Sequence, residues 1–414
     1  MKSGTRRLKP ELLALTALGS LSAGAAQAQD SPKFEIYGFA QLDYVQDFNR
    51  VDPDWDATLR PSKIPTTEGI FGDDGQAILS VRQSRFGVKM NQDIAGRPLN
   101  IKFEFDLYGT GDDAGQTTFR LRHFFGEWGP ILAGQTNSVF MDIDTFPNTV
   151  DYWGPNGMVF LRNPQIRYTY KTGGHEFAVA IEQPGNDIDP GNVRELDPGI
   201  GSNIQGDEEV PDLTAHWRYT GGWGHVQLAG ILRRVAYETA GTPGNDPSGS
   251  ETGWGVNATS NVKTWGKDVL HLGVVYGEGI ASYMNDGGTD MGPQIRPGIV
   301  QPIAGAPPPA GSITGEVVPL LGLVVWYDHY WNDAWATSLG WSQVEVDNTN
   351  FQSGSAFESA QYAAINLLWT PDPKLLFGAE LLWGNREDFN GASGDDTRLQ
   401  FTAKYSFSST DFFR

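Results

Sequence analysis

Along sixteen stretches of this chain apolar and polar residues alternate with a period of two, and that pattern admits few folds. A strand sends successive side chains to opposite faces, so each such stretch has one oily face and one wet face. The stretches are 34–46, 77–90, 99–108, 117–127, 130–135, 165–171, 175–183, 213–219, 224–237, 252–264, 268–278, 316–331, 334–346, 359–369, 374–385 and 397–407. The last is the cleanest: Leu399, Phe401, Ala403, Tyr405 and Phe407 share one face, and Arg398, Gln400, Thr402, Lys404 and Ser406 the other. In 99–108 the apolar face is Ile101, Phe103, Phe105 and Leu107, opposite Lys102, Glu104 and Asp106. The connections fall into two alternating classes, tight turns such as 128–130, 172–174 and 332–333 and long loops such as 47–76, 136–164, 184–212 and 279–315. Short turns at one end and long loops at the other are the layout of an outer-membrane β-barrel. The expectation is therefore an all-β fold, a transmembrane antiparallel barrel of sixteen strands with periplasmic turns and extracellular loops.

Composition points the same way. No cysteine is present, so an exported chain of this size needs a large core or a closed sheet to hold it. Aromatics make up 12% and glycines number 51, yet hydropathy shows no helical span after residue 28. A lipid-facing barrel produces this combination, because its apolar residues are every second one and average out in any window.

At the front, Lys2, Arg6, Arg7 and Lys9 precede an apolar run, 12–21, and Ala26-Gln27-Ala28 has the small-x-small form of a signal peptidase site. Residues 1–28 are read as a signal peptide, 29–407 as the barrel and 408–414 as a tail. Removing 1–28 leaves 26 Lys and Arg against 49 Asp and Glu. That acidity argues against nucleic acid as a partner. Enzyme chemistry finds no footing: there is no thiol and no Gly-x-Ser-x-Gly elbow, and the six histidines lack metal spacing. No cofactor is expected. The acid pairs Asp73-Asp74, Asp112-Asp113 and Asp395-Asp396 read as solvated turns, with calcium binding or bridging of lipopolysaccharide as the alternatives.

Function concentrates between residues 117 and 162. Arg120 and Arg122 occupy one face of a strand about 6.6 Å apart. The following loop, 136–162, has no strand periodicity, and a structureless stretch of that length is functional more often than not. It carries Phe140, Asp142, Asp144, Asp151, Tyr152 and Trp153, and is expected to fold into the barrel as a constriction facing the arginines. A sixteen-stranded barrel is too wide for side chains to fill, so an aqueous channel remains. Arg120 and Arg122, with Arg85, Lys102, Arg167 and Arg218, are expected to line it and to bind anions. Parity places Arg82 outward unless a bulge intervenes, and groups His123 with the wall-facing Phe119 and Leu121. The plainer role of the arginines is to pair with Glu104, Asp106 or loop carboxylates and hold the loop. The 279–315 loop reads as an extracellular flap.

The run Gly134-Gln135-Thr136-Asn137-Ser138-Val139-Phe140-Met141-Asp142, continuing through Pro147-Asn148-Thr149-Val150-Asp151 to Gly154-Pro155-Asn156-Gly157, resembles the constriction loop of the DcaP-like porins of Gram-negative outer membranes. Gln83-Ser84-Arg85-Phe86-Gly87 and Tyr37-Gly38-Phe39 resemble the same family. The resemblance implies a homotrimer of sixteen-stranded barrels, set in outer-membrane lipid, passing small and often carboxylic anions by diffusion. Some members carry an N-terminal coiled coil; only 29–33 stand before the first strand here, so the barrels themselves would hold the trimer, through the first five strands and the last. The rival readings are a channel that binds a specific solute and a secreted all-β carbohydrate-binding protein or enzyme.

Overall fold

The computed structural model of the chain describes residues 33–72, 74–109, 118–241, 244, 246–298 and 311–411. The expected signal peptide, Asp73, Asp112 and Asp113 lie outside the described residues. Sixteen antiparallel strands form the wall. They are β1 (Lys33–Asp47), β2 in two pieces (Gln76–Ser80 and Arg85–Ile94), β3 (Arg97–Asp106), β4 (Arg120–Trp128), β5 (Ile131–Asn137), β6 (Arg162–Thr172), β7 (His175–Glu182) and β8 (Asp212–Gly221). There follow β9 (Gly224–Thr239), β10 (Gly249–Lys263), β11 (Val269–Glu278), β12 (Pro319–Tyr330), β13 (Trp335–Val346), β14 (Phe357–Asp372), β15 (Leu375–Asp388) and β16 (Ser393–Ser408). Every stretch of alternation in the sequence contributes one of them. β16 returns to β1 from Tyr37↔Ser408 to Asp47↔Arg398, which closes the sheet and leaves no edge unpaired in lipid.

Local chemistry sets the turn end. Between β2 and β3 the chain reverses on Ala95 (φ 54°) and Gly96 (φ 74°), a two-residue turn whose left-handed backbone matches strand twist. Trp223, Trp265, Trp331, Trp335 and Trp369 are exposed on or beside these turns, where an aromatic girdle meets the lipid interface. Leu228, Leu232, Val256, Val274, Val325, Ile365 and Leu381 expose the oily face between the ends.

The inner face departs from the simple polar-in rule. On the β9–β14 side, Ala229, Ile231, Val275, Leu320, Val344 and Ala360 point inward and are buried. They meet Phe140, Met141 and Val159 of the 138–161 loop, and Ile280, Tyr283 and Met284 of the loop after β11. A second core joins Val51, Leu59 and Ile64 of the first long loop to Trp326, Tyr362, Ala364 and Leu382. Each fully buried large side chain there contributes about 2 kcal/mol. Three loops therefore fill one side of the barrel with hydrophobic packing. What remains open runs along β16 and β1–β4.

The loop after β11 is thus not a plain extracellular flap. Its first turn, Ala281–Tyr283, lies inside the mouth, where Phe160 N donates to Tyr283 O and Asn285 N to Met158 O. Its hairpin, Met291–Ile295 with Ile313–Val317, forms a separate two-stranded sheet, and Pro307-Pro308-Pro309 lies outside the described residues.

Candidate functional site

The 138–161 loop crosses the lumen and is bonded to the wall at each step. Glu182 of β7 accepts from Ser138 Oγ (3.1 Å) and Val139 N (2.9 Å). Asn257 of β10 donates to Phe140 O, and Gln227 of β9 to Met141 O. Asp142 caps the short helix Ile143–Thr145 and accepts from His225 Nε2 (2.7 Å), Thr259 Oγ1 (2.7 Å) and Arg218 Nη1 (3.2 Å). Burial opposes its charge, but these donors outweigh it and hold the carboxyl down at about 2. Further on, Glu380 of β15 accepts from the amides of Val150 (2.8 Å) and Asp151 (2.7 Å). Asn156 bonds Ser342 and Ala360 O. At Gly157 the backbone lies flush on β12 and β13: a Cβ there would sit 2.1 Å from Gln343 O and 2.5 Å from Leu323 O. No other residue fits that approach.

Across the opening stand the cations. Arg85, Lys102, Arg120 and Arg122 come from β2, β3 and β4 and surround Glu104 and Asp106. Arg120 grips Asp106 with two bonds (3.1 and 2.9 Å). Arg122 donates to Glu104 (2.9 Å), Asp106 (2.8 Å) and Tyr152 OH (2.9 Å). Lys102 lies 3.2 Å and Arg85 3.6 Å from Glu104. Tyr152 reaches over from the loop, donates to Asp106 (2.7 Å) and stacks on Tyr108 with centroids 3.9 Å apart.

Two cavities flank this bridge. One, of about 370 Å³, is lined by Phe39, Gln83, Arg85, Arg122, Tyr152, Phe160, Arg162 and Lys404 among others. The second, of about 210 Å³, is lined by Arg120, Tyr152, Trp153, Phe160, Arg162 and Asn285 among others. Arg162 borders both.

The structure redistributes several residues singled out in the sequence. Arg218 does not extend the arginine wall; it pairs with Asp142 and Asp144 and anchors the loop's first half. Arg167 points inward but lines neither cavity, and the charges acting on it are Glu127, Glu176 and Glu182. Asp151 faces away from the arginines and accepts from Thr58 Oγ1 (2.7 Å), Leu59 N (3.1 Å) and Tyr362 OH (3.2 Å); burial raises its carboxyl above the usual range. Phe140 is core. Trp55 and Trp153 meet edge to face with centroids 5.0 Å apart, and the Arg60 guanidinium lies 4.2 Å from each ring while pairing with Asp286 at 2.9 Å. That contact ties three loops together.

Two local irregularities explain parity. β2 breaks at 81–84, where Ser84 N bonds Val81 O, and both Arg82 and Arg85 turn inward; Arg82 donates to Gly109 O and Asp54 O. Between Glu104 and Phe105 the β3–β4 register slips at a β-bulge, so Arg122 and His123 both enter the lumen. His123 Nδ1 meets Thr136 Oγ1 at 3.0 Å rather than facing lipid. Arg162 and Lys404 were not among the expected site residues. Lys404 was readable from the inward parity of the last stretch; Arg162 sits where the loop rejoins the wall, and alternation says nothing there.

Residues 21–284, which include the whole constriction loop, match the DcaP outer membrane protein family. The outer membrane channel DcaP of Acinetobacter baumannii superposes with a TM-score of 0.72 at 23% identity, over 91% of this chain and 97% of that one. The trimer form of OmpT from Vibrio cholerae follows at 0.53 and 12% identity, over 91% and 100%. Salmonella typhi OmpF in complex with daunomycin stands at 0.52 and 11%, over 91% and 97%. These likenesses concern the fold. No curated protein matches the chain. A closed lipid-facing barrel with a loop across its lumen, matched over most of its length, makes this chain a member of the DcaP outer membrane protein family, a channel-forming barrel of the bacterial outer membrane.

Proposed function

We propose that the channel passes small solutes by diffusion and prefers small anions such as carboxylates. The observation that carries this reading is the charge around the opening: among the described residues Arg85, Lys102, Arg120, Arg122, Arg162 and Lys404 gather about Glu104 and Asp106. Asp43 and Asp151 lie nearby, but Asp43 is bonded behind Gln41 and Asp151 is buried under the loop. A surplus of cations between low-dielectric walls focuses a positive potential, whatever the charge of the whole chain. The test is the reversal potential of purified protein in a planar bilayer across a tenfold KCl gradient. An anion-selective sign is expected; a cation-selective one would sink the reading. A saturable conductance in acetate would favour a solute-specific site over general diffusion.

Features of the wall support a trimeric assembly. β4, β5 and β7 are nine, seven and eight residues long, against sixteen for β9, β14 and β16. Outside this low wall Phe103 meets Phe124 and Phe105 meets Phe119 edge to face, with Phe103 and Phe105 tilted against each other. Three copies packed on this side form the trimer, which native electrophoresis in mild detergent detects as a single heat-sensitive species of three chains. Lipopolysaccharide surrounds the outer rim.

A further inference from the structure

We propose that anion selection is carried by Arg162 and Lys404, assisted by Arg85, while Arg120 and Arg122 serve mainly to hold the constriction. This deepens the anion-preferring reading and rests on it. The arginines that stand out in the sequence are already paired with carboxylates. Arg120 gives its fork to Asp106, and Arg122 is divided among Glu104, Asp106 and Tyr152. A guanidinium closed on a carboxylate presents a passing ion with little more than a dipole.

Arg162 and Lys404 are placed differently. Among the described residues no carboxylate lies within ion-pair distance of either. The Arg162 guanidinium lies over the Phe160 ring, 4.7 Å from its centroid, and its Nε is buried without a partner. The Lys404 ammonium lies over Phe39 at 4.7 Å, and Arg85 approaches the same ring at 5.2 Å. An aromatic face steadies a cation without using its N–H groups. Each therefore keeps donors for a third party, and each borders the larger cavity. Arg162 also borders the smaller one, so an anion crossing from one to the other passes it. The chemistry on offer suits a compact oxyanion, one carboxylate or phosphate group at a time.

The test compares variants that each remove one positive charge. Wild type, Arg162→Gln, Lys404→Gln and Arg120→Gln are inserted in planar bilayers, and chloride over potassium permeability is read from reversal potentials across a tenfold KCl gradient. Arg162→Gln and Lys404→Gln are each expected to lower that ratio more than twice as far as Arg120→Gln, and Arg162→Lys to retain most of it. Equal shifts in all three neutral variants would show that only net charge counts and would overturn the assignment. So would a larger shift for Arg120→Gln. The Lys404 side chain makes no hydrogen bond among the described residues, so Lys404→Gln is the variant that answers the question should Arg162→Gln fail to insert. A wild-type channel with no anion preference would instead remove the reading beneath it.

Discussion

At the scale of single residues, the basic side chains divide by what they touch. Arg122 is almost fully buried and supplies charge-assisted bonds to two carboxylates and a tyrosine from the loop. Arg122→Ala leaves Glu104 and Asp106 with one donor fewer each and is expected to cost about 2 to 3 kcal/mol, read from urea unfolding in lipid vesicles. Lys404→Gln breaks nothing of that kind and is expected to stay within about 0.5 kcal/mol of wild type in the same titration. Stability and selectivity then separate by residue. A carboxylate's neighbours decide its job too: Asp142, ringed by donors, fastens the loop, whereas Asp151 fastens the loop to the first long loop and never meets the arginines.

Elements show which features alternation can reveal. All sixteen wall strands were legible, because lipid on one side imposes a period of two wherever the chain crosses it. The β-bulge at Arg122 and the break at 81–84 were not, since one extra residue reverses parity without leaving a compositional mark. The inward apolar faces of β9–β14 were also hidden: their partners Phe140, Ile280 and Tyr283 come from loops remote in sequence. Loop packing brings its own pH dependence. Asp187, whose amide donates to Asp290 at 2.9 Å, has its carboxyl raised to about 6 by burial first and then by Asp290 and Asp189. A carboxyl raised in the folded state adds stability that is complete below its ordinary pKa, near 4, and lost as pH rises through about 6. Amide exchange in residues 183–191, corrected for intrinsic rate, is therefore expected to be slower at pH 5 than at pH 7.5. Equal protection would show that Asp187 does not govern that contact.

Taken whole, the molecule sets opposite signs at different depths. The chain carries a formal charge of −20, yet cations gather where the constriction loop faces β2–β4. Strand number fixes the circumference, but the three inward loops decide how much of the cross-section stays open, and they leave it against β16 and β1–β4. The 138–161 loop also does something to the wall itself. Leaving from β5, it is bonded to β9, β10, β13, β14 and β15 before rejoining at β6, so it spans the cylinder like a chord across a hoop. A hoop with a chord resists flattening. Squeezing by thicker or thinner bilayers then reaches the aperture only weakly, and single-channel conductance is expected to hold steady from short-chain to long-chain lipids.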